Sequence, residues 1–313
     1  YGVSYNSYLI DDEMVALVDT VDICYFEVYL RKIKQVIGER PINYLIINHM
    51  EPDHSGSIRL IKQHYPEIII VGNKQTFGMI EGFYGVTGEQ YLVKEGDFLA
   101  LGHHKLRFYM TPMVHWPETM MTFDETDGVL FSGDGFGCFG TVDGGFLDTR
   151  INVDKYWGEM VRYYSNIVGK YGSPVQKALQ KLGGLPISAI CSTHGPVWTE
   201  NIAKVIGIYD RLSRYDADEG VVIAYGSMYG NTEQMAEAIA EELSAQGVKN
   251  IVMHNVTKSH PSYIIADIFR YKGLIIGSPT YSNQIFPEVE ALLSKILLRE
   301  VKGRYLGYFG SFT

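Results

Sequence analysis

Apolar positions in the first 215 residues recur with two different periods. Residues 28–37 (VYLRKIKQVI) have helical spacing and are closed by Gly38, which predicts a helix. Residues 42–48 form a short apolar run that reads as a buried strand; a helix is predicted at about 55–65, stopped by Pro66, and a strand at 67–71 (EIIIV). From Gln90 to Phe131 strand follows strand, and Glu125-Thr126-Asp127-Gly128 between MMTF and VLF reads as a hairpin connection. Helical spacing returns at about 154–182, followed by a short strand at 188–191 and a helix at 199–213. Crossovers mixed with hairpins predict an αββα sandwich rather than a plain βαβ repeat.

After the polar segment Arg214 to Gly220 (RYDADEG), a candidate linker, the rhythm changes. VVIAY, a helix from Thr232, NIVMHN, a further helical stretch, GLIIG, a helix at 287–298 and RYLGYF make a β-α-β-α-β-α-β series. That series predicts a parallel sheet with helical crossovers. The expected division is therefore 1–215 and 220–313, α/β in both parts.

At 313 residues the chain has room for two cores, and 46% apolar with 20% charged residues excludes a disordered chain. A net charge of -9 argues against a nucleic-acid partner, because phosphate binding needs basic residues. No apolar run reaches membrane-span length, and no basic-then-apolar signal pattern opens the chain. Three scattered cysteines, Cys24, Cys138 and Cys191, make no disulfide framework and no C-x-x-C pair, which points to a reducing, cytoplasmic setting. The sequence starts at Tyr1 inside a strand-like run and stops at Thr313 just after another, so both ends read as cut.

The first concentration of chemistry is His49-Met50-Glu51-Pro52-Asp53-His54, directly after a predicted buried strand. Alternate positions of an extended loop project the same way, so His49, Glu51 and Asp53 can converge, with His54 opening the next helix. A helix cap at Asp53 would account for one carboxylate and leave two histidines and Glu51 without a role. Three further candidates each follow a strand-like run: His115 in TPMVHWPETM, Asp134 in LFSGDGFG and His194 in ICSTHGPVW. Singly, each is better read as a packed histidine or a turn residue. Together, at successive strand ends, they read as metal ligands.

This set resembles the metallo-β-lactamase superfamily, whose usual motif is H-x-H-x-D-H. The second histidine is here Glu51, which is the pattern of one branch, the flavodiiron proteins (A-type flavoproteins); HWPE, GDGFG and THGPVW are similar to that branch too. The resemblance implies that His49, Glu51 and His115 hold one iron and Asp53, His54 and His194 the other, with Asp134 bridging. In some family members the histidine at the position of His54 lies beside the metal without binding it. Independently, three carboxylates among four histidines form an oxygen-rich set that suits iron in two oxidation states, although zinc also fits.

Other candidates carry less. Gly135-Phe136-Gly137-Cys138-Phe139-Gly140 matches G-x-G-x-x-G without a helix pattern after it. His103 and His104 sit in a strand-like run, on opposite faces. His254 and His260 have no partners in their own segment.

In the second part, GSMYGNTEQMAEAIAEEL follows the strand VVIAY. Ser227, Gly230, Asn231 and Thr232 place small side chains and backbone amides at a helix start, where oriented N–H groups bind phosphate. GLIIGSPTYSNQIFP opens a second loop at Pro279 to Gln284, with Tyr281 as a planar side chain. Ligands of open parallel sheets sit beyond such strand ends. The pair resembles the flavodoxin family. That resemblance implies FMN held by Ser227, Met228, Tyr229, Gly230, Asn231 and Thr232, by Pro279, Thr280, Tyr281, Ser282, Asn283 and Gln284, and by a third loop opening at Ser311, Phe312 and Thr313. A flavodoxin's last strand and helix are expected beyond Thr313.

The fold expected is thus an N-terminal metallo-β-lactamase-like αββα sandwich followed by a doubly wound, flavodoxin-like sheet that is C-terminally incomplete here. The implied function is an FMN and diiron oxidoreductase that reduces O2 to water or nitric oxide to nitrous oxide. Its implied donor is separate, a rubredoxin or a reduced deazaflavin, and its implied assembly a head-to-tail homodimer. The alternative is a zinc-dependent hydrolase of the wider superfamily with an appended flavodoxin domain.

Overall fold

A computed structural model, which describes residues 2–142 and 144–312, explains why the first strands are continuously apolar. In chain order come β1 (Tyr8–Ile10), β2 (Ala16–Val18), α1 (Phe26–Ile37), β3 (Tyr44–Ile46), α2 (Pro52–Ser55), α3 (Ile58–His64), β4 (Ile69–Gly72), α4 (Lys74–Tyr84) and β5 (Gln90–Leu92). The strands form one sheet in the order β1-β2-β3-β4-β5, antiparallel only between β1 and β2. Alternate residues of each strand enter different cores. Leu17, Leu45 and Ile70 pack with Phe26, Ile33 and Ile61 of the helices. Ala16, Val18, Ile46 and Val71 pack with Leu106, Phe108 and Phe131 of a second sheet. A strand covered on both faces has no polar face, hence the unbroken run.

The second sheet takes β6 (Phe98–Ala100), β7 (Lys105–Met110), β8 (Met120–Asp124) and β9 (Val129–Gly133). After α5 (Asp154–Tyr163) and α6 (Gly172–Leu182), β10 (Ala189–Ser192) pairs in parallel with β9, and α7 (Ile202–Ser213) follows. The order is β10-β9-β8-β7-β6, and β8 and β9 form the hairpin expected around residues 125–128. Two facing sheets with helices outside make the αββα sandwich.

Some expectations change in detail. The helix expected at 55–65 is two pieces, α2 and α3. The stretch at 154–182 is interrupted by a π-turn at Tyr164–Val168 and a 3-10 turn at Gly169–Tyr171. Glycine is required at that break, because a Cβ on Gly169 would stand 2.6 Å from the Phe269 ring and one on Gly172 2.4 Å from the Ser213 carbonyl. Helix α4 lacks an obvious sequence signal because Gly78 and Gly82 dilute it; Asn73, whose side chain accepts from the N–H groups of Gln75 and Thr76, starts it.

Packing separates the chain into two compact units, Tyr1–Met160 with Ser173–Gly207, and Val161–Gly172 with Ile208–Thr313. The second unit continues with β11 (Asp218–Tyr225), α8 (Asn231–Ala245), β12 (Ile251–Asn255), α9 (Pro261–Arg270), β13 (Tyr271–Tyr281), β14 (Gln284–Ile285), α10 (Pro287–Leu297) and β15 (Tyr305–Ser311). β11 already begins at Asp218, inside the segment read as a linker. The parallel order is β12-β11-β13-β15, so β11 and β13 flank the point where the winding reverses. Val222, Ala224, Leu274 and Ile276 face one core, and Ile223, Tyr225 and Ile275 the other. Among the described residues, no helix is long and apolar enough to cross a membrane.

Candidate metal centre and phosphate loop

Four strand ends of the first unit deliver the predicted ligands to one place. Past β3 the chain bends at Asn48, reaches Glu51 and turns into α2, which carries Asp53 and His54. His115 lies on the β7–β8 connection, Asp134 directly follows β9, and His194 follows β10. His49 and His54 are fully buried, and Asp134, His194 and His115 are 2%, 4% and 8% exposed.

The seven side chains sort into two pockets. In the first, His115 Nε2 lies 3.3 Å from His49 Nε2, 3.0 Å from Glu51 Oε2 and 2.9 Å from Asp134 Oδ2. In the second, His54 Nε2 lies 3.1 Å from His194 Nε2, 3.3 Å from Asp53 Oδ2 and 3.0 Å from Asp134 Oδ1. Asp134 therefore turns one oxygen to each pocket. Donor atoms at about 2.0–2.2 Å from a shared metal stand about 3.0–3.4 Å apart, so this spacing is that of a coordination shell. Convergence of imidazole Nε2 atoms on one another, with carboxylates between, also fits ions better than hydrogen bonds. The expectation that His49, Glu51 and Asp53 project together is corrected: His49 and Glu51 share the first pocket, but the turn into α2 sends Asp53 to the other, with His54. Asp53 is not the helix cap; Glu51 occupies that position, with no side-chain cap bond.

The carboxylates dominate the electrostatics. Burial opposes a charge on His49, yet Asp134, Glu118 and Glu51 hold its pKa up at about 10. His115 and His194, also buried, are raised by Asp134 and by Glu51 or Asp53. Glu51, paired with His115 and His49, is held down at about 2. Asp134 is buried, but the surrounding histidines keep it well below the carboxylate range. The pockets are built for positive charge, and a divalent ion competes with protons for the same Nε2 lone pairs.

Supporting residues were not identified from sequence. Asp19, at a left-handed φ of 56°, is buried and accepts from the backbone N–H groups of Asn48 (2.8 Å) and His49 (3.2 Å). Glu118, fully buried, bonds His49 Nδ1 at 2.9 Å and accepts from Met50 N–H at 2.8 Å. The Ser4 carbonyl stands 2.8 Å from His194 Nδ1, and Thr193 donates to Asp134 Oδ1 at 2.5 Å. These residues follow strand ends or precede strands, as the ligands do, but their partners are distant in sequence.

The remaining histidines take other roles. His104 is not in a strand but in the turn before β7, with Nδ1 2.9 Å from Asp12 Oδ2 and Nε2 3.4 Å from Asp127. His254 does have partners: Asp267 Oδ2 at 2.8 Å and Ser259 Oγ at 3.2 Å. His260 Nδ1 accepts from Ser262 N–H and so caps α9.

In the second unit, Gly230 has a φ of 89°, in the left-handed region, and starts α8. Its N–H donates to Ser227 Oγ, leaving the first-turn N–H groups of α8 without intrahelical partners. Thr232 Oγ1 lies 2.9 Å from Ser311 Oγ, joining the first turn of α8 to the end of β15. The segment from Pro279 to Gln284 is not an open loop: β13 runs to Tyr281, and Ser282 and Asn283, both at positive φ, make a two-residue hairpin turn into β14. Tyr229 is 88% and Tyr281 48% exposed. Of the predicted flavin residues, Thr313 lies outside the described residues.

The profile of the ODP family β-lactamase matches residues 3–195, over half of the chain. The chain belongs to the ODP family. A flavodoxin profile matches residues 223–312 of this ODP-family chain. It is 33% identical over 316 residues to an anaerobic nitric oxide reductase flavorubredoxin of Vibrio vulnificus, covering 99% of this chain and 64% of that relative's length. The rubredoxin oxygen:oxidoreductase of Desulfovibrio gigas superposes with a TM-score of 0.95 at 31% identity, covering 99% of this chain and 78% of that one. The flavodiiron protein of Giardia intestinalis gives 0.96 at 28% identity, with coverage of 99% and 76%. Family and fold are those that the resemblance implied.

Proposed function

We propose that this ODP-family chain is an oxidoreductase that uses FMN and two non-haem irons to reduce O2 to water, nitric oxide to nitrous oxide, or both. The observation that carries this reading is Asp134, with its two oxygens divided between two pockets that each hold two imidazoles and a further carboxylate. The names of its relatives, a nitric oxide reductase and an oxygen:oxidoreductase, support the same class. When bound, the flavin supplies two-electron uptake with one-electron release, and the iron pair supplies binding and reduction of a diatomic gas.

In this reading His49, Glu51, His115 and Asp134 hold one iron, and Asp53, His54, His194 and Asp134 the other. The Asp134 carboxylate sets the spacing between the pockets. Glu118 and the Ser4 carbonyl accept from Nδ1 of His49 and His194, keeping each Nε2 free as a donor. Glu51 and Asp53, with side chains 38% and 24% exposed, mark the side open to a gas. In the second unit, Ser227, Gly230 and Thr232 hold the flavin phosphate at the α8 N-terminus, and Tyr281 flanks the ring.

The proposal extends to an external donor (a rubredoxin or a reduced deazaflavin), a head-to-tail homodimer, domains at 1–215 and 220–313, and a cytoplasmic setting. Three free cysteines support the last. A zinc hydrolase would leave the flavodoxin-like unit without a role and Glu51 unexplained. Elemental analysis of anaerobically purified, iron-replete protein tests the choice, together with gas consumption on addition of reduced rubredoxin. Roughly two irons per chain with nitric oxide or O2 uptake is expected; zinc in both positions and no uptake would overturn the proposal.

A further inference from the structure

Both pockets offer the same count of donor atoms, two imidazole nitrogens and two carboxylate oxygens, with Asp134 shared. They differ behind the imidazoles. Glu118 Oε1 faces His49 Nδ1 at 2.9 Å and accepts from Met50 N–H at 2.8 Å. The Glu118 side chain is fully buried, and its Oε2 has no hydrogen-bond partner among the described residues. A carboxylate shielded from water on one oxygen and bonded through the other directs its charge to the ring it holds. That makes His49 Nε2 a stronger donor.

The second pocket lacks this support. His54 Nδ1 is also buried and has no partner among the described residues, and Asp53 Oδ1 is in the same condition. His194 Nδ1 faces the neutral Ser4 carbonyl at 2.8 Å. Among the described residues, a carboxylate thus bonds the outer ring nitrogen of His49 in the first pocket, and a neutral carbonyl that of His194 in the second.

We propose that the two metal positions are unequal, that the pocket of His49, Glu51, His115 and Asp134 fills first and empties last, and that Glu118 is the positioning residue responsible. The inference rests on the two-metal reading above. An outer carboxylate on a ligating histidine is worth about 10–100-fold in metal affinity, which sets the expected gap between the two sites. The exchangeable position is that of Asp53, His54 and His194.

Glu118 also ties the backbone at Met50, so a purely structural role has to be separated from an electrostatic one. Glu118→Gln does this: a carboxamide oxygen can accept the same two bonds while the charge is lost, and its NH2 group takes the place of the unpartnered Oε2. The experiment is an anaerobic titration of metal-stripped full chain with Co2+. It reads bound metal by elemental analysis, coordination by visible absorption, and folding by the melting temperature of the metal-free protein.

Wild type is expected to bind two Co2+ with dissociation constants about 10–100-fold apart. Glu118→Gln should weaken the tighter constant by that factor, with the weaker one within about twofold and metal-free melting unchanged. His115→Ala should remove the tight site, and His194→Ala the weak one. Two equal constants in wild type, equal weakening of both in Glu118→Gln, or loss of the tight site in His194→Ala overturns the inference and leaves the two-metal centre standing. Fewer than two Co2+ per wild-type chain overturns the centre itself and the inference with it.

Discussion

The two candidate sites are built in opposite ways. In the first unit five of the seven candidate ligands are buried, and His49, Asp134 and His194 are held from behind by further polar groups. In the second, the loops that would hold a flavin present Tyr229 and Phe312 almost fully exposed, at 88% and 86%. A metal pocket must be rigid before its ion arrives, since a misplaced donor forfeits a bond. A flavin loop can wait as open surface, because the ligand itself supplies the missing cover. Damage should therefore spread through the first site and stay local in the second.

The sharpest attempt to break that contrast is Asp134→Ala. It removes a donor from both pockets at once, and metal content should fall to well below one ion per chain, with gas reduction lost by more than about 100-fold. Flavin absorbance should persist; its disappearance would mean that the two sites do not fail independently. Next comes Asp19→Ala, which leaves two buried N–H groups unpaired and puts a Cβ residue other than Asn or Asp at a left-handed φ. A loss of about 2–4 kcal/mol in urea unfolding of the metal-free protein is expected, with weaker metal binding. Gly230→Val is smaller and confined to the other unit. Strain at φ 89° should weaken FMN by about 5–30-fold in a fluorescence titration, with metal content unchanged.

The smallest effect lies away from both sites. Burial opposes protonation of His104, but Asp12, Asp124 and Asp127 raise its pKa, whereas backbone N–H groups, that of His104 foremost, hold Asp12 low. A raised histidine stabilises fully below its ordinary pKa of about 6.5 and loses that as pH rises through the folded value. A lowered carboxylate stabilises above about pH 4 and loses that as pH falls. The pair should help most between about pH 4 and 6.5. His104→Gln should lower the melting temperature there by about 1–3 °C and have no effect by pH 9. A constant difference at all pH values would show that charge is not involved.

Much of this was legible in the chain. Strand, loop and helix order placed His49, His115, Asp134 and His194 at strand ends, and the small residues before α8 marked the phosphate turn. What sequence could not supply were relations across long separations. Glu118 and His49 are 69 residues apart, and nothing local to either names the other. Asp19 reads as an ordinary strand-end carboxylate until the backbone of Asn48 is seen beside it. The split of Asp53 from Glu51 turned on whether residues 52–55 are extended or helical, and Pro52 at the first helical position was the available signal. In β11, Asp218 and Glu219 masked a strand start that depends on pairing with Tyr271.

Residues 4–8 hold the far end of the first unit. Ser4 bonds His194 and Gly195, Asn6 bonds Ser192 and Gly195, and Tyr8 bonds Ser192, across separations of 184–191 residues. During folding, closing so long a span is slow, because its entropy must be lost before any contact compensates. The pocket of His49, Glu51, His115 and Asp134 takes none of its donor side chains from beyond residue 134. Assembly should therefore be sequential in time, and stopped-flow refolding in Co2+ should show a fast first capture and a slower second. Replacing Ser4 and Asn6 by alanine should delay only the second.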